Sequence, residues 1–519
     1  MPAMSRPPYY LSTAIHYANA APHLGHALEM VGADCMARFK RLQGFDVFFL
    51  TGTDEHGQKI QKKAEEMGLR PQALVDRVSD SFKALFADLH ISHSRFIRTT
   101  EEAHRLGVAA LLERSRAQGD IRKGIYRGWY CTPCEAFWQE GQLKDKTLCP
   151  ACDRPVVLDE EEVWFFKQSR YGPALLEHFK IRPGFVEPEG RSREMLNNFL
   201  IPGLGDLAIS RSRDKVSWGI PFPGDEGQVV YVWFDALTNY LTGVGFPDAA
   251  PRWPADLHIV GKDILRFHCT TWPAMLLSAG LPLPKRVFAH GWVLTDGAKM
   301  SKSTGNVTDP AALVKAYGAD ALRYALLREA PFAQDFSLPE ERILGRLNRD
   351  LGNDLGNLCH RTLTMVEKYF DGKAPGPGAP AAPELELKAA CAALRPGYEV
   401  AMEALEFNRA LEQTWSLVTR ANQLVEVAKP WALAKDPSKR ERLAAVLSAL
   451  VDTLAAVSCA AWPAIPKACE SLRGQLSLPA PVSLDELNLW NALPAGTPFA
   501  KGAPLFPRLE KGAEGKGQA

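Results

Sequence analysis

At about 150 residues per domain, a chain of 519 residues is long enough for three to four domains, which excludes a peptide hormone or a lone binding module. Its 61 Lys+Arg against 60 Asp+Glu leave a formal net charge of +1, so there is no global field of either sign, and any nucleic-acid partner must be held by local patches. With 46% hydrophobic and 23% charged residues, the composition is that of a folded soluble protein and not of a collagenous, disordered or membrane chain.

The first ten residues hold Pro7-Pro8-Tyr9-Tyr10 in place of an apolar run, so no secretory signal is expected. Tyr10 to Ile15 reads as a strand, Gly25 to Arg41 as a helix and Asp46 to Leu50 as a second strand, a βαβ unit that implies a parallel sheet. A segment of roughly a hundred residues with clustered cysteines then interrupts the pattern and reads as an insertion. The rhythm returns with a strand over Gln228–Val232, a helix over Trp233–Leu241, a strand over Leu257–Val260, a helix over Gly261–Leu277 and a strand over Arg286–Ala289. Beyond Asp309 helical periodicity dominates, at 340–369, 385–406, 408–428 and 438–460, with a Pro/Gly-rich loop over Asp371–Pro383. Leu443 to Trp462 is apolar enough to suggest a membrane span. Asp452 near its middle argues for a buried bundle helix, because a central carboxylate in hydrocarbon costs about 2.5–3.5 kcal/mol, and no membrane partner is expected. The tail from Lys511 has no apolar anchor and is expected to fray.

Of ten cysteines, four crowd together as Cys131-x-x-Cys134 and Cys149-x-x-Cys152 with fourteen residues between the pairs. Two close pairs of thiolates suit one tetrahedral Zn²⁺ with every position filled, hence structural, and point to a reducing cytoplasm; two redox dithiols are the alternative. Pro22-His23-Leu24-Gly25-His26 stands where the first strand gives way to the first helix. A helix N-terminus welcomes phosphate, and histidines three apart lie on one face of its first turn, although an isolated His-x-x-His pair is more often plain surface. Gly25 lets a nucleobase or ribose approach the backbone. Lys299-Met300-Ser301-Lys302-Ser303 forms a cationic loop suited to charge developing on phosphate. Trp233, Ala236, Leu237 and Tyr240 fall on one helical face, which is either core or an apolar pocket.

Together the His-Leu-Gly-His and Lys-Met-Ser-Lys-Ser sequences resemble the paired ATP-binding signatures of class I aminoacyl-tRNA synthetases. Tyr231-Val-Trp-Phe-Asp-Ala-Leu-Thr-Asn-Tyr240, Thr51-Gly-Thr-Asp-Glu-His-Gly57, Gly261-Lys-Asp-Ile-Leu-Arg-Phe-His268 and His290-Gly-Trp-Val293 narrow the resemblance to the methionyl branch. It implies an α/β fold: a Rossmann-type parallel sheet split by a zinc-binding insertion and followed by an all-α helical bundle. The expected divisions are 1–117 and 226–298 for the halves of the sheet domain, 118–225 for the insertion with its zinc knuckle, 299–345 for the Lys-Met-Ser-Lys-Ser loop and stem-contact segment, 346–495 for the anticodon-binding helices and 496–519 for the tail.

The implied activity is a methionine–tRNA ligase. L-Methionine is activated with ATP and Mg²⁺ to methionyl-adenylate, then moved to the 3′ end of tRNA(Met), initiator included, with release of AMP and pyrophosphate. By the same resemblance His23, His26 and Lys302 are catalytic; Gly25, Gly261, Asp263, His290, Val293 and Lys299 join them in binding ATP. Ala14, Ile15, Tyr17, Asp54, Trp233, Ala236, Leu237, Tyr240, Ile264 and His268 form the methionine pocket, with Asp54 on the ammonium and His268 near sulfur. Asn357, Arg361 and Trp431 resemble the readers of a CAU anticodon. Leu237 and His16 stand where some members have Pro. With no appended dimerising domain after the helices, a cytoplasmic monomer is expected. The rivals are a class I synthetase for another amino acid and a non-catalytic RNA-binding paralogue.

Overall fold

The computed structural model describes residues 6–132, 136–138, 140–295, 298–299, 308–488, 490–491 and 493–507. Lys302 of the Lys-Met-Ser-Lys-Ser sequence and Cys134 of the cysteine cluster lie outside them, as do the side chain of Lys299 and the tail from Arg508.

The expected βαβ unit forms. Pro8–Thr13 pairs in parallel with Asp46–Asp54, and Leu24–Leu42 crosses between them as a helix. Pro8–Thr13 also pairs in parallel with Leu257–Gly261 on its other side, Leu11 opposite Leu257, and Leu257–Gly261 pairs in turn with Val287–His290. Arg95–Arg98 extends the sheet beyond Asp46–Asp54, and His16–Tyr17 continues the line of the first strand. After the first strand the chain turns to one side, and the later strands lie on the other. That reversal between Pro8–Thr13 and Leu257–Gly261 opens the crevice in which α/β sheets bind ligands.

Four expectations need correction. Val186–Glu187, inside the predicted insertion, joins the edge of the parallel sheet against Val287–Phe288; two residues are too short for any periodicity to reveal. The strand near Gln228 spans Asp225–Val230 and belongs to a small antiparallel sheet with Ser210–Ser212 and Pro221–Phe222, where the carbonyl of Ile209 takes the Tyr231 amide at 2.9 Å. The helix expected over Trp233–Leu241 is two, Val232–Leu237 and Asn239–Thr242. Thr238 Oγ1 donates to the Phe234 carbonyl at 2.8 Å and Asn239 Nδ2 to that of Ala236 at 2.6 Å, so side chains compete with the backbone ladder at the break. Gly261–Leu277 likewise divides into Leu265–Cys269 and Thr271–Ser278, because Pro273 has no N–H to continue the first helix.

The insertion is built on a long antiparallel ribbon, Ile121–Cys131 against Val157–Phe166. In the helical region, Glu340–Arg346 and Asn357–Phe370 are joined by a π-helical stretch, Leu347–Gly356, which periodicity did not foretell. Two side chains of the long helix Phe407–Ala428 supply it with donors: Trp415 Nε1 to the Asp350 carbonyl at 3.0 Å and Asn422 Nδ2 to that of Asp354 at 3.2 Å. The apolar helix Arg440–Ala461 lies buried in the bundle, and its Asp452 accepts the Asn491 amide at 2.9 Å.

One apolar core runs without a break from the first helix into the bundle. At the seam lies Arg323 on Ala319–Arg328, with no solvent exposure. Its Nη2 meets Asp34 Oδ2 at 2.7 Å, and its other donors reach the carbonyls of Leu89, Pro463 and Ala464 at 2.8–2.9 Å. Asp34 also takes the Arg38 Nε at 2.8 Å and the Ser92 amide at 2.7 Å. Burial opposes its ionisation, but Arg323, Arg38 and Ser92 overcome that and hold the carboxyl down to about 2. Asp34→Ala leaves Arg323 buried without a counter-charge, and the expected loss is about 3–5 kcal/mol, measured by chemical denaturation; a change below about 1 kcal/mol counts against the assignment.

Candidate functional site

The carboxyl ends of four parallel strands converge. Ala14, Ile15 and Tyr17 follow Pro8–Thr13, Asp54 ends Asp46–Asp54, Gly261 ends Leu257–Gly261 with Asp263 and Ile264 just beyond, and His290 ends Val287–His290. Gly261 and His290 are register partners.

His23 caps the helix Leu24–Leu42, and its Nδ1 accepts the Gly25 amide at 3.1 Å. His26 Nδ1 accepts the His23 amide at 3.1 Å, and the two rings stack at 3.8 Å. Since both Nδ1 atoms accept from N–H groups, each neutral ring carries its proton on Nε2, so the helix start offers two imidazole donors, while the amides of His23, Gly25, His26 and Ala27 are taken up by the cap. Gly25 serves a purpose besides ligand approach, because a Cβ there would lie 2.9 Å from His23 Cε1 and push the capping ring away.

Behind this pair, the buried His16 lies 4.8 Å from the His26 ring and stacks on Phe82 at 5.0 Å. Glu29 on the same helix reaches His290 Nε2 at 2.9 Å and stands 4.0 Å from His16 Nδ1. His290 Nδ1 faces the Gly291 carbonyl at 2.7 Å. Burial works against a charge on His290, yet the Glu29 carboxylate and the carbonyl raise its pKa, while burial lowers that of His16. Glu29 is a site residue that motif matching missed; a carboxylate in the middle of a buried apolar helix was the available signal. Asp263 is exposed and accepts Trp292 Nε1 at 3.3 Å, with Val293 buried beside it.

Ile15, Trp233, Leu237, Tyr240 and Phe267 share one apolar cluster, with Trp233 stacked flat on Phe267 at 3.7 Å. Ala236 is buried on the same short helix, and Ala14 and Ile264 belong to the neighbouring cluster. Tyr10 Oη donates to the Tyr240 carbonyl at 2.7 Å. The Tyr240 hydroxyl meets His268 Nε2 at 2.7 Å, and His268 Nδ1 meets the Ile264 carbonyl at 3.0 Å. A carbonyl can only accept, so Nδ1 carries the proton and Nε2 accepts from Tyr240. Burial lowers the His268 pKa to about 4, only partly offset by that carbonyl, and the ring is neutral.

Tyr17 Oη donates to the His56 carbonyl at 3.1 Å, which ties it to the segment carrying the buried Asp54. His56 Nδ1 in turn meets Asp235 Oδ2 at 2.7 Å, and the other oxygen meets His104 Nε2 at 2.7 Å. Burial opposes the Asp235 charge, but His56 and His104 hold its carboxyl at about 2. Asp235 sits between Trp233 and Ala236, so this network fixes the aromatic pocket to the Asp54 segment. No sequence signal marked His104.

Elsewhere, Cys131 and Cys152 Sγ stand 3.5 Å apart, and with Cys149 all three sulfurs lie within 4.8 Å of one another. In the bundle, Asn357 is exposed, Trp431 is 40% exposed, and Arg361 lies 5.8 Å over its ring while Nη2 donates to Glu426 at 2.9 Å.

Residues 9–156 and 147–363 match the family described as tRNA synthetases class I (M), and 374–516 match the anticodon binding domain of methionyl tRNA ligase. The methionine–tRNA ligase of Clostridium tetani is 47% identical over 98% of this chain and 79% of its own length; that of Thermotoga maritima is 42% identical over 97% and 80%. The structure of the Mycobacterium tuberculosis methionyl-tRNA synthetase in complex with methionyl-adenylate aligns at a TM-score of 0.93, with 43% identity, over 97% of this chain and 100% of that one.

His268 generates a pH prediction. Its folded value near 4 lies below the ordinary 6.5, so the unfolded chain binds the extra proton first, and its stabilising share is lost as pH falls from 6.5 toward 4. Thermal unfolding measured across that window should depend less steeply on pH in His268→Gln than in the parent; equal slopes refute the assignment.

Proposed function

We infer the part played by each side chain from one premise: the chain belongs to the methionyl family of class I aminoacyl-tRNA synthetases. It is a methionine–tRNA ligase, activating L-methionine with ATP to methionyl-adenylate and charging tRNA(Met). The observation that carries the assignment of roles is the convergence of the stacked His23–His26 pair and the aromatic pocket at the carboxyl edge of one parallel sheet.

In the first step a methionine carboxylate oxygen attacks the α-phosphorus of ATP, the bond to the bridging oxygen breaks and pyrophosphate leaves. No general base is needed, because the carboxylate is already ionised. Catalysis is positioning plus stabilisation of phosphate charge by the His23 and His26 Nε2–H donors and Lys302. Lys299, on the short strand Ala298–Lys299, belongs to the same Lys-Met-Ser-Lys-Ser sequence. Asp263, at the end of its strand, takes the ribose, while Gly261, His290 and Val293 frame the nucleoside. Mg²⁺ enters with ATP, since the imidazole N–H groups donate to phosphate oxygens and are not ligands for a hard cation.

Asp54 holds the methionine ammonium. Ala14, Ile15, Tyr17, Trp233, Ala236, Leu237, Tyr240 and Ile264 enclose the side chain, with the neutral His268 beside the sulfur. An uncharged aromatic enclosure suits a thioether, since sulfur–aromatic contacts are worth about 0.3–1.5 kcal/mol each. In the second step a ribose hydroxyl of the terminal adenosine attacks the adenylate carbonyl carbon and AMP leaves.

Trp431 stacks an unpaired anticodon base, and Asn357 and Arg361 bond base edges, the latter steadied by Glu426. Recognition through the anticodon includes the initiator tRNA. Cys131, Cys134, Cys149 and Cys152 hold one structural Zn²⁺. Sulfurs at about 2.3 Å from a tetrahedral zinc lie about 3.8 Å apart, close to the Cys131–Cys152 separation of 3.5 Å. A monomer suffices, since every residue named comes from the same chain, and the buried free thiols Cys35, Cys269, Cys359, Cys391, Cys459 and Cys469 suit the reducing cytoplasm.

Methionine-dependent ATP–pyrophosphate exchange tests the site. Lys302→Ala should slow exchange by about 10²–10³-fold or more with the methionine KM little changed, whereas Trp233→Ala should raise that KM; undiminished exchange in the first or an unmoved KM in the second overturns the assignment. Elemental analysis should find one zinc per chain, lost in Cys149→Ser; an equal zinc content in that variant refutes the four-thiolate site.

A further inference from the structure

Among the described residues the buried arginines have carboxylate partners: Arg323 and Arg38 share Asp34, Arg211 has Glu161 and Arg473 has Glu486. The partly exposed Arg266 differs. It lies on the short helix Leu265–Cys269, between Ile264 and His268 of the methionine pocket. Its guanidinium carbon stands 4.8 Å from the Phe199 ring centroid and 5.5 Å from that of Trp138. Among the described residues no carboxylate pairs with it. Burial pulls its pKa down from the ordinary value, with Tyr231 acting in the opposite sense, and an arginine remains charged under such a shift.

A cation set against two rings, with no carboxylate partner among the described residues, offers a site for an anion. The rings indicate which one. Trp138 lies on Ala136–Trp138, which pairs with the cysteine-bearing end of the insertion ribbon, Trp129 opposite Trp138. Phe199 lies on the insertion's π-helical turn Leu196–Leu200. Both rings, like Arg266, are partly exposed. The site therefore opens between the insertion and the wall of the methionine pocket, whereas the His23–His26 pair stands on a different element, at the start of Leu24–Leu42. Aromatic faces with a central arginine are the elements of a single-stranded nucleic-acid channel, in which bases stack and the cation takes a backbone phosphate.

Building on the synthetase reading above, we propose that Arg266, framed by Trp138 and Phe199, binds a phosphodiester of the single-stranded 3′ end of tRNA as it passes from the insertion to the methionyl-adenylate. The other source of the same chemistry is the triphosphate of ATP, and kinetics separates the two. A charge-assisted contact of this kind is worth about 10- to 100-fold. Arg266→Gln should lose that factor in kcat/KM for tRNA in aminoacylation, while tRNA-independent ATP–pyrophosphate exchange keeps its rate and its ATP KM. The log–log dependence of tRNA kcat/KM on salt should flatten by about one ion in Arg266→Gln and keep its slope in Arg266→Lys. A raised ATP KM in exchange assigns the cation to the triphosphate and overturns the proposal. An unchanged tRNA kcat/KM and salt slope reduces Arg266 to packing and overturns it as well. Exchange by the parent enzyme tests the underlying activity separately, so the two failures are distinguishable.

Discussion

The ion pair of Asp34 with Arg323 ties the two halves of the molecule together. A charge without solvent exposure is tolerated only when its hydrogen bonds are made, and the partners here come from separate parts of the chain. Asp34 lies in the first helix, Leu89 just past the helix Pro71–Asp88, Arg323 in Ala319–Arg328, the second helix after the Lys-Met-Ser-Lys-Ser sequence, and Pro463 and Ala464 just past the long buried helix of the bundle. These groups meet only when the sheet domain and the bundle are docked. The helix so anchored is the one whose N-terminus presents His23 and His26, and the apolar core is continuous across the seam. The placement of His23 and His26 is thereby linked to that of the helices bearing Asn357, Arg361 and Trp431.

Within the sheet domain, charge is sorted by burial and partner. His268 and His16 are driven toward neutrality by burial, whereas His290 is drawn toward the charged form by Glu29. The raised pKa thus belongs to the histidine that ends Val287–His290 beside Glu29, and the lowered ones to the ring bonded to Tyr240 and the ring stacked on Phe82. Asp235 carries its charge out of contact with solvent, shared between His56 and His104, and holds the pocket helix against the segment of Asp54. Two short helices in place of a continuous one, broken at Thr238, let Trp233 lie flat on Phe267 while Tyr240 reaches His268.

The legible features were those written into neighbouring residues. The βαβ unit, the long bundle helices, the burial of Leu443–Trp462 and the paired cysteines all follow from spacing, because period, turn chemistry and ligand spacing are local. The His23–His26 pair was legible for the same reason, although the capping of the helix by His23 and the steric demand for Gly25 needed the backbone. Val186–Glu187 at the sheet edge, the antiparallel pairing of Asp225–Val230 and the π-helical Leu347–Gly356 left no such trace. Each depends on a partner far along the chain, as where Trp415 and Asn422 bond the π-helix carbonyls.

By itself the amino-acid sequence determined the class of fold, the family and the pairing of His23 with His26 on one helix turn, since each is carried by residue types at short, fixed spacings. Only the tertiary structure decided that Glu29 answers His290, that His104 and His56 share Asp235, that Arg323 closes the seam and that no carboxylate among the described residues pairs with Arg266. The physical reason is common to all four: whether a buried charge has a partner depends on which distant segments fold against it.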